Sequence, residues 1–446
     1  MHVNLQEKVL LFSVLTISVL VFFIFNPSDL IESDTSTYLE YGSRPPFYPF
    51  LLDIFYIKDN IKIIQILQYS LFILSSFFLI LNLQKILRYK ILIFLFSICI
   101  GINFYSNSYH LKLLPESIFL TLVNLYIIFL IKILSKEFSF FNILIFLIIN
   151  ILMILTKEVG AFFNILSMIV ILKNYIEYRN KYNFLYLFLF PVAFLITINS
   201  YKLNNITDIM LLGKLSILME SENFLVPNNN SAKDLFSILQ KEFIDNLDKS
   251  DIDYLKQRNV FAGNIDELKY TNNIFINSKI MAKREVIYQN ILLKNEFDFL
   301  KIYINSIFTN PKIYISNLIN NLLGMWSLKP EVLFEIKQEL SLKNFFYFFI
   351  FVTFLLTNII FFILSFFYFF YFLNFIKLKD SNLKFLFSSS IIIFLYSFFV
   401  SIVNVNTTRF LLPIIPFILL GNLCYIDIAI KKIISNPNKD FTNEQS

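Results

Sequence analysis

The chain has 446 residues, 57% hydrophobic and 16% charged, with 56 Phe, 24 Tyr, only 7 Gly and a net charge of +6. A soluble domain carries about a quarter charged residues, and apolar runs of about 18 or more residues recur here, so a polytopic all-α membrane protein is expected. Nothing in this composition invites a nucleic-acid partner.

The first run, Val9 to Phe25, has no small-residue cleavage site behind it and reads as a retained helix. Spans are predicted at 9–26, 63–84, 91–105, 116–131, 140–156, 159–172, 184–200, 345–376, 385–403 and 410–430, about ten in all. The long 345–376 run reads as one tilted helix. With the first residues inside, Lys8, Lys85, Arg88, Lys90, Lys132, Lys136, Lys173, Arg179, Lys181, Lys377, Lys379, Lys384, Lys431 and Lys432 fall on cytoplasmic segments. The short outer loops carry far fewer cations, which is the positive-inside pattern and places both termini in the cytoplasm.

One charged insert interrupts the spans. Leu235, Ile238 and Leu239, and again Ile287, Ile291 and Leu292, recur at helical spacing within residues 201–344, so a small helical extracytoplasmic cap is expected there. The chain then divides into 1–200, an N-terminal bundle whose first outer loop is 27–62; 201–344, the cap; and 345–446, the last spans and tail. Cys99 and Cys424 lie in apolar runs and read as buried thiols, and with His2 and His110 as the only histidines no zinc site is available.

The residues that could carry chemistry gather in the predicted outer loops. ESDTSTYLEYGSRPPFYPFLL at 32–52 is acidic at one end and proline-rich at the other. Asp34 fits an N-cap, and it equally fits a general base drawing a proton from an attacking alcohol. RPPFYP reads as a rigid extended turn; Tyr48 fits the aromatic belt of the interface or a sugar-packing face, and Arg44 within ten residues of Asp34 could orient an anion. Glu116 follows Pro115 and opens a helix, where the helix dipole favours an acid. Lys157 and Arg409 sit at outer helix ends; each could snorkel to water or stabilise a phosphate, and Lys157 could pair with its neighbour Glu158. His110 is a hydrogen-bonding or substrate-binding candidate. A divalent cation held by Asp34 and Glu116 is conceivable, although two scattered carboxylates define no metal site.

These segments, in this order, resemble the polytopic glycosyltransferases of the GT-C fold. The likeness is to the dolichyl-phosphate-mannose protein mannosyltransferase-like group and to bacterial relatives that use polyprenyl-phosphate sugars. It rests on Asp34 followed by RPPFYP, on LLPESIFL at 113–120, TKEVGAFF at 156–163, FTNPKIYISNLINNLLGMW at 308–326 and NTTRFLLPIIPFILL at 406–420. Many members have His where this chain has Arg44, and Arg where it has Lys157. The resemblance implies a GT-C-like bundle that moves a sugar from a polyprenyl-phosphate donor to a hydroxyl of a glycan, lipid or protein, with inversion. Asp34 would be the base, and Arg44, Tyr48, His110, Glu116, Lys157 and Arg409 would bind substrate. A lipid-linked glycan flippase or transporter, and a polymerase or ligase of the O-antigen type, are the competing expectations. A transporter should carry ionisable residues near the middle of the bilayer, whereas the charges here gather at helix ends.

Overall fold

The structure is a computed structural model. It describes residues 45–55, 61–102, 112–135, 139–178, 206–219, 224–246, 297–326, 380–403 and 408–435, with Phe12, Tyr38, Tyr109, His110, Glu137, Pro191, Leu195, Tyr288 and 290–292. The expected spans 9–26, 184–200 and 345–376, apart from Phe12, Pro191 and Leu195, and the residues Asp34 and Arg44 lie outside the described residues. Regular structure within them is helical throughout, with no strand. Among the described residues four helices are long and apolar enough to cross a membrane: Lys62–Lys85, Glu116–Leu134, Ser381–Ser401 and Leu411–Ile434. Three further apolar helices, over Lys90–Gly101, Phe140–Thr156 and Gly160–Lys173, are shorter.

The described residues belong to two compact units. The first is helical: α1 (Phe47–Phe55), α2 (Ile61–Asn82), α3 (Lys90–Ile102), α4 (Glu116–Leu134), α5 (Phe140–Thr156), α6 (Gly160–Tyr178), most of α11 (Ser381–Val403) and α12 (Ile415–Ser435). Helix α4 packs on α2 and α5, α5 on α6, and α12 on α3.

Its polarity runs opposite to that of a soluble bundle. On α2 the apolar Ile66 and Leu74 are 67% and 53% exposed, while Gln68, Ser75 and Ser76 are buried. In lipid an exposed hydrocarbon face needs no cover, and buried small polar groups hold helices together by hydrogen bonds. Asn124 of α4 donates to Ser76 at 2.9 Å and to Ser75 at 3.2 Å. Between α4, α5 and α6, the Tyr126 hydroxyl donates to the Phe163 carbonyl at 3.0 Å. Ser167 Oγ lies 2.9 Å from Asn150 Oδ1 and 3.0 Å from the Tyr126 oxygen.

The two ends of this unit differ. One end holds the loop after α2 and the α4–α5 turn, where Lys85 bonds Glu137 at 2.6 Å. Arg88 and Lys431 both approach Asp380, and buried Asp427 accepts from the Arg88 N–H and the Asn382 amide, each at 2.8 Å. Asp427 is buried within α12, and Lys173 and Lys384, expected on cytoplasmic segments, are buried within α6 and α11. Cys424 is buried as expected, but Cys99 is exposed on the apolar outer face of α3.

Two boundaries depart from expectation. RPPFYP is not an extended strut: helix α1 starts at Phe47, directly after Pro46, whose carbonyl accepts the Phe50 N–H at 3.0 Å. Pro49 sits in the first turn, where a missing N–H loses no intrahelical bond. The last span opens with a 3-10 stretch, Thr408–Ile414, containing Pro413, before α12 begins at Ile415.

The second unit, Asn199–Ser327 with Phe398–Thr408, is built from α7 (Ile206–Met219), α8 (Asn230–Asn246), α9 (Phe299–Thr309) and α10 (Pro311–Trp326). Its core joins Leu212, Leu215, Leu235, Phe236, Leu239, Ile291, Phe299 and Ile302. Asn310 shapes the α9–α10 corner by acting as a peptide surrogate: its amide donates to the Leu225 carbonyl at 2.8 Å and accepts the Leu225 N–H at 2.7 Å. Pro311, without an N–H to satisfy, is suited to the first position of α10.

Candidate functional site

At the other end of the first unit, the start of α4 meets the end of α5. Pro115 precedes Glu116 in helical geometry, and its carbonyl accepts the Phe119 N–H at 2.8 Å, so Glu116 is fixed as the first residue of α4. Helix α5 ends at Thr156 because Lys157 turns to extended geometry (φ −156°, ψ 138°). The chain then reverses in three residues, with Gly160 N–H bonding the Lys157 carbonyl at 2.9 Å. Only glycine fits at 160, since a Cβ there would overlap the carbonyl carbon of Met153. That tight reversal aims Lys157 across to α4.

Lys157 Nζ lies 2.7 Å from Glu116 Oε1, and both side chains are buried, 9% and 1% exposed. The partner is therefore Glu116, forty-one residues back, and not the adjacent Glu158. The helix dipoles favour both charges, the anion at the N-terminus of α4 and the cation at the C-terminus of α5.

Polar groups surround the pair. Tyr48 of α1 is fully buried, not in an interfacial belt; its ring meets Tyr38 edge-on at 5.5 Å, and its oxygen accepts from Gln68 Nε2 at 3.2 Å. Burial pushes the Tyr48 phenol well above its ordinary range, and the Glu116 charge adds to that. Tyr396 of α11 is buried, and its ring packs against Phe162 and Phe163. His110 is buried and stacked on Phe72 at 3.9 Å, with Nδ1 2.7 Å from Ser117 Oγ. Burial lowers its pKa to about 3, so at neutral pH its imidazole is uncharged.

Tyr48, His110, Glu116 and Lys157 thus belong to one neighbourhood. Arg409 lies in the 3-10 turn ahead of α12. Gln68, Ser117 and Tyr396 are additions that the sequence did not single out; a glutamine inside an apolar run was the one available signal. Among the described residues no three His, Cys, Asp or Glu side chains group as a metal site. The described part of the site is a buried, charge-balanced pair flanked by neutral hydrogen-bonding side chains. No protein-family model, curated protein or solved structure matches the chain.

Proposed function

We propose that the chain is an integral membrane glycosyltransferase of GT-C type, moving a sugar from a polyprenyl-phosphate donor to an acceptor hydroxyl. The reading carries with it a bundle of about ten spans. Charge alternation along the sequence assigns the Glu116–Lys157 end to the extracytoplasmic face. The observation that supports the reading most is the meeting of motifs far apart in sequence: Glu116 from LLPES pairs with Lys157 from TKEVG, and Tyr48 from RPPFYP is linked through Gln68 to the Lys112 carbonyl just ahead of LLPES.

In this reading Asp34 takes the proton of the acceptor hydroxyl, and the freed oxygen bonds to the anomeric carbon. The bond from that carbon to the phosphate oxygen breaks, and its electron pair leaves on polyprenyl phosphate. Arg409 meets the growing negative charge, helped by Arg44, because fixed cations in a poorly hydrated site stabilise a leaving phosphate strongly. Lys157 has a subtler part than a free cation. Glu116 already balances it, so the pair presents an ammonium held at a set position with little net charge.

Both charges of the pair stand at helix ends, which fits chemistry at a membrane surface, whereas buried Asp427 within α12 is a feature that a transporter would share. The experiment that separates the two offers radiolabelled polyprenyl-phosphate sugars to the purified chain in proteoliposomes. A covalent sugar–acceptor product supports transfer; movement of lipid or sugar across the bilayer without a product supports the transporter.

A further inference from the structure

We infer that Gln68 and His110 form a neutral subsite that recognises a sugar hydroxyl of the substrate, distinct from the charged groups that meet its phosphate. The inference rests on the transferase reading and adds the part of the substrate that this wall of the site contacts.

Gln68 directs its amide nitrogen to the Tyr48 oxygen at 3.2 Å and to the Lys112 carbonyl at 3.4 Å. A carbonyl accepts only, so the Lys112 contact fixes which end of the amide is nitrogen. The oxygen Oε1 is then buried with no hydrogen-bond partner among the described residues. His110 repeats the pattern: Nδ1 is engaged by Ser117, and Nε2 is buried without a partner among the described residues. The two residues are neighbours through α2. His110 packs on Tyr69 and Phe72, the first adjacent to Gln68 in sequence and the second one helical turn further along α2.

A buried polar atom without a partner is unfavourable by about 1–3 kcal/mol, so two of them beside the same stretch of α2 call for an occupant. The occupant must donate to Gln68 Oε1, which excludes an ionised phosphate, whose oxygens only accept. Neutral His110 offers a phosphate no charge either. A hydroxyl both donates and accepts, and so satisfies Oε1 and either tautomer of His110. In a polyprenyl-phosphate sugar, the sugar ring is the part rich in such groups.

The test measures binding of three probes to the full chain in nanodiscs: bare polyprenyl phosphate, polyprenyl-phosphate glucose and polyprenyl-phosphate arabinose. Native protein is compared with Gln68→Leu and, separately, His110→Phe, which keeps the stack on Phe72. The expected result is at least one sugar-bearing lipid bound about tenfold tighter than the bare lipid, with that advantage lost in either variant and affinity for the bare lipid unchanged. A tenfold step is what one well-made hydrogen bond to a buried group contributes. If sugar adds nothing to native affinity, or both variants keep the advantage, the groups are satisfied by water or by other parts of the chain and the subsite is overturned. Variants that lose the bare lipid as well make the wall structural, which also overturns it. No binding of any probe by native protein rejects the donor reading itself, and the subsite falls with it.

Discussion

Lys157 Nζ and Glu116 Oε1 stand 2.7 Å apart, both buried, and so tie the C-terminus of α5 to the N-terminus of α4. A pair of this kind is weak evidence of stability, because desolvation offsets much of the attraction; removing one partner, however, strands a buried charge. Lys157→Met and Glu116→Gln should each destabilise the protein, Lys157→Met by about 3–5 kcal/mol. The double variant should lose clearly less than the sum. Thermal unfolding of the four proteins in one detergent completes the cycle, and additive losses would mean that the two groups do not interact.

Gly160 controls where Lys157 points. Gly160→Ala should destabilise by about 1–3 kcal/mol, since the added methyl must displace the α5 backbone at Met153 and not a yielding side chain. Transfer activity should fall further than Gly160→Ala lowers stability at the assay temperature. A folded variant with native activity would show that the reversal tolerates a shift and that Lys157 needs no fixed place.

His110 makes stability depend on pH. Its pKa is about 3 when folded, against 6.5 for an ordinary histidine, so between these values the unfolded chain binds a proton that the folded chain refuses. Stability is therefore full above pH 6.5 and declines as pH falls, by about 2 kcal/mol between pH 7 and pH 5 from this group. Unfolding midpoints of native protein and His110→Phe across that range check the sign: the native curve should fall more steeply with acid, and parallel curves would contradict it.

Tyr126 serves as the control. Its hydroxyl sits in the α4–α5–α6 interface, bonded to the Phe163 carbonyl and beside Ser167. Tyr126→Phe should lose about 1 kcal/mol of stability and leave transfer within twofold of native. A large loss of activity there would extend the functional region into the middle of the bundle.

Local signals were legible in the sequence and distant pairings were not. Pro115 before Glu116, and the T-K-E-V-G run after an apolar stretch, mark where α4 starts and α5 stops, because capping and glycine geometry act over a few residues. The partner of Lys157 was hidden: Glu158 is adjacent in sequence, and only the packing of α4 on α5 brings Glu116 closer. RPPFYP was misread for a related reason. Proline both stiffens an extended chain and opens a helix, and tertiary contacts around Tyr48 decide between the two. Gln68 passed unnoticed because one polar residue in an apolar run has no local signature; it becomes meaningful when Tyr48 and Lys112 meet it from other segments.

The reaction proposed for the chain is sugar transfer from a polyprenyl phosphate with Asp34 as the base. Its most direct test measures covalent transfer from radiolabelled polyprenyl-phosphate sugars in membranes containing equal amounts of native protein and Asp34→Asn. Native protein should give a labelled acceptor, and Asp34→Asn should lose about 100-fold or more of that transfer, the scale set by removing general-base catalysis. Full transfer by Asp34→Asn would contradict the base assignment, and no labelled acceptor from native protein with any donor would contradict the function.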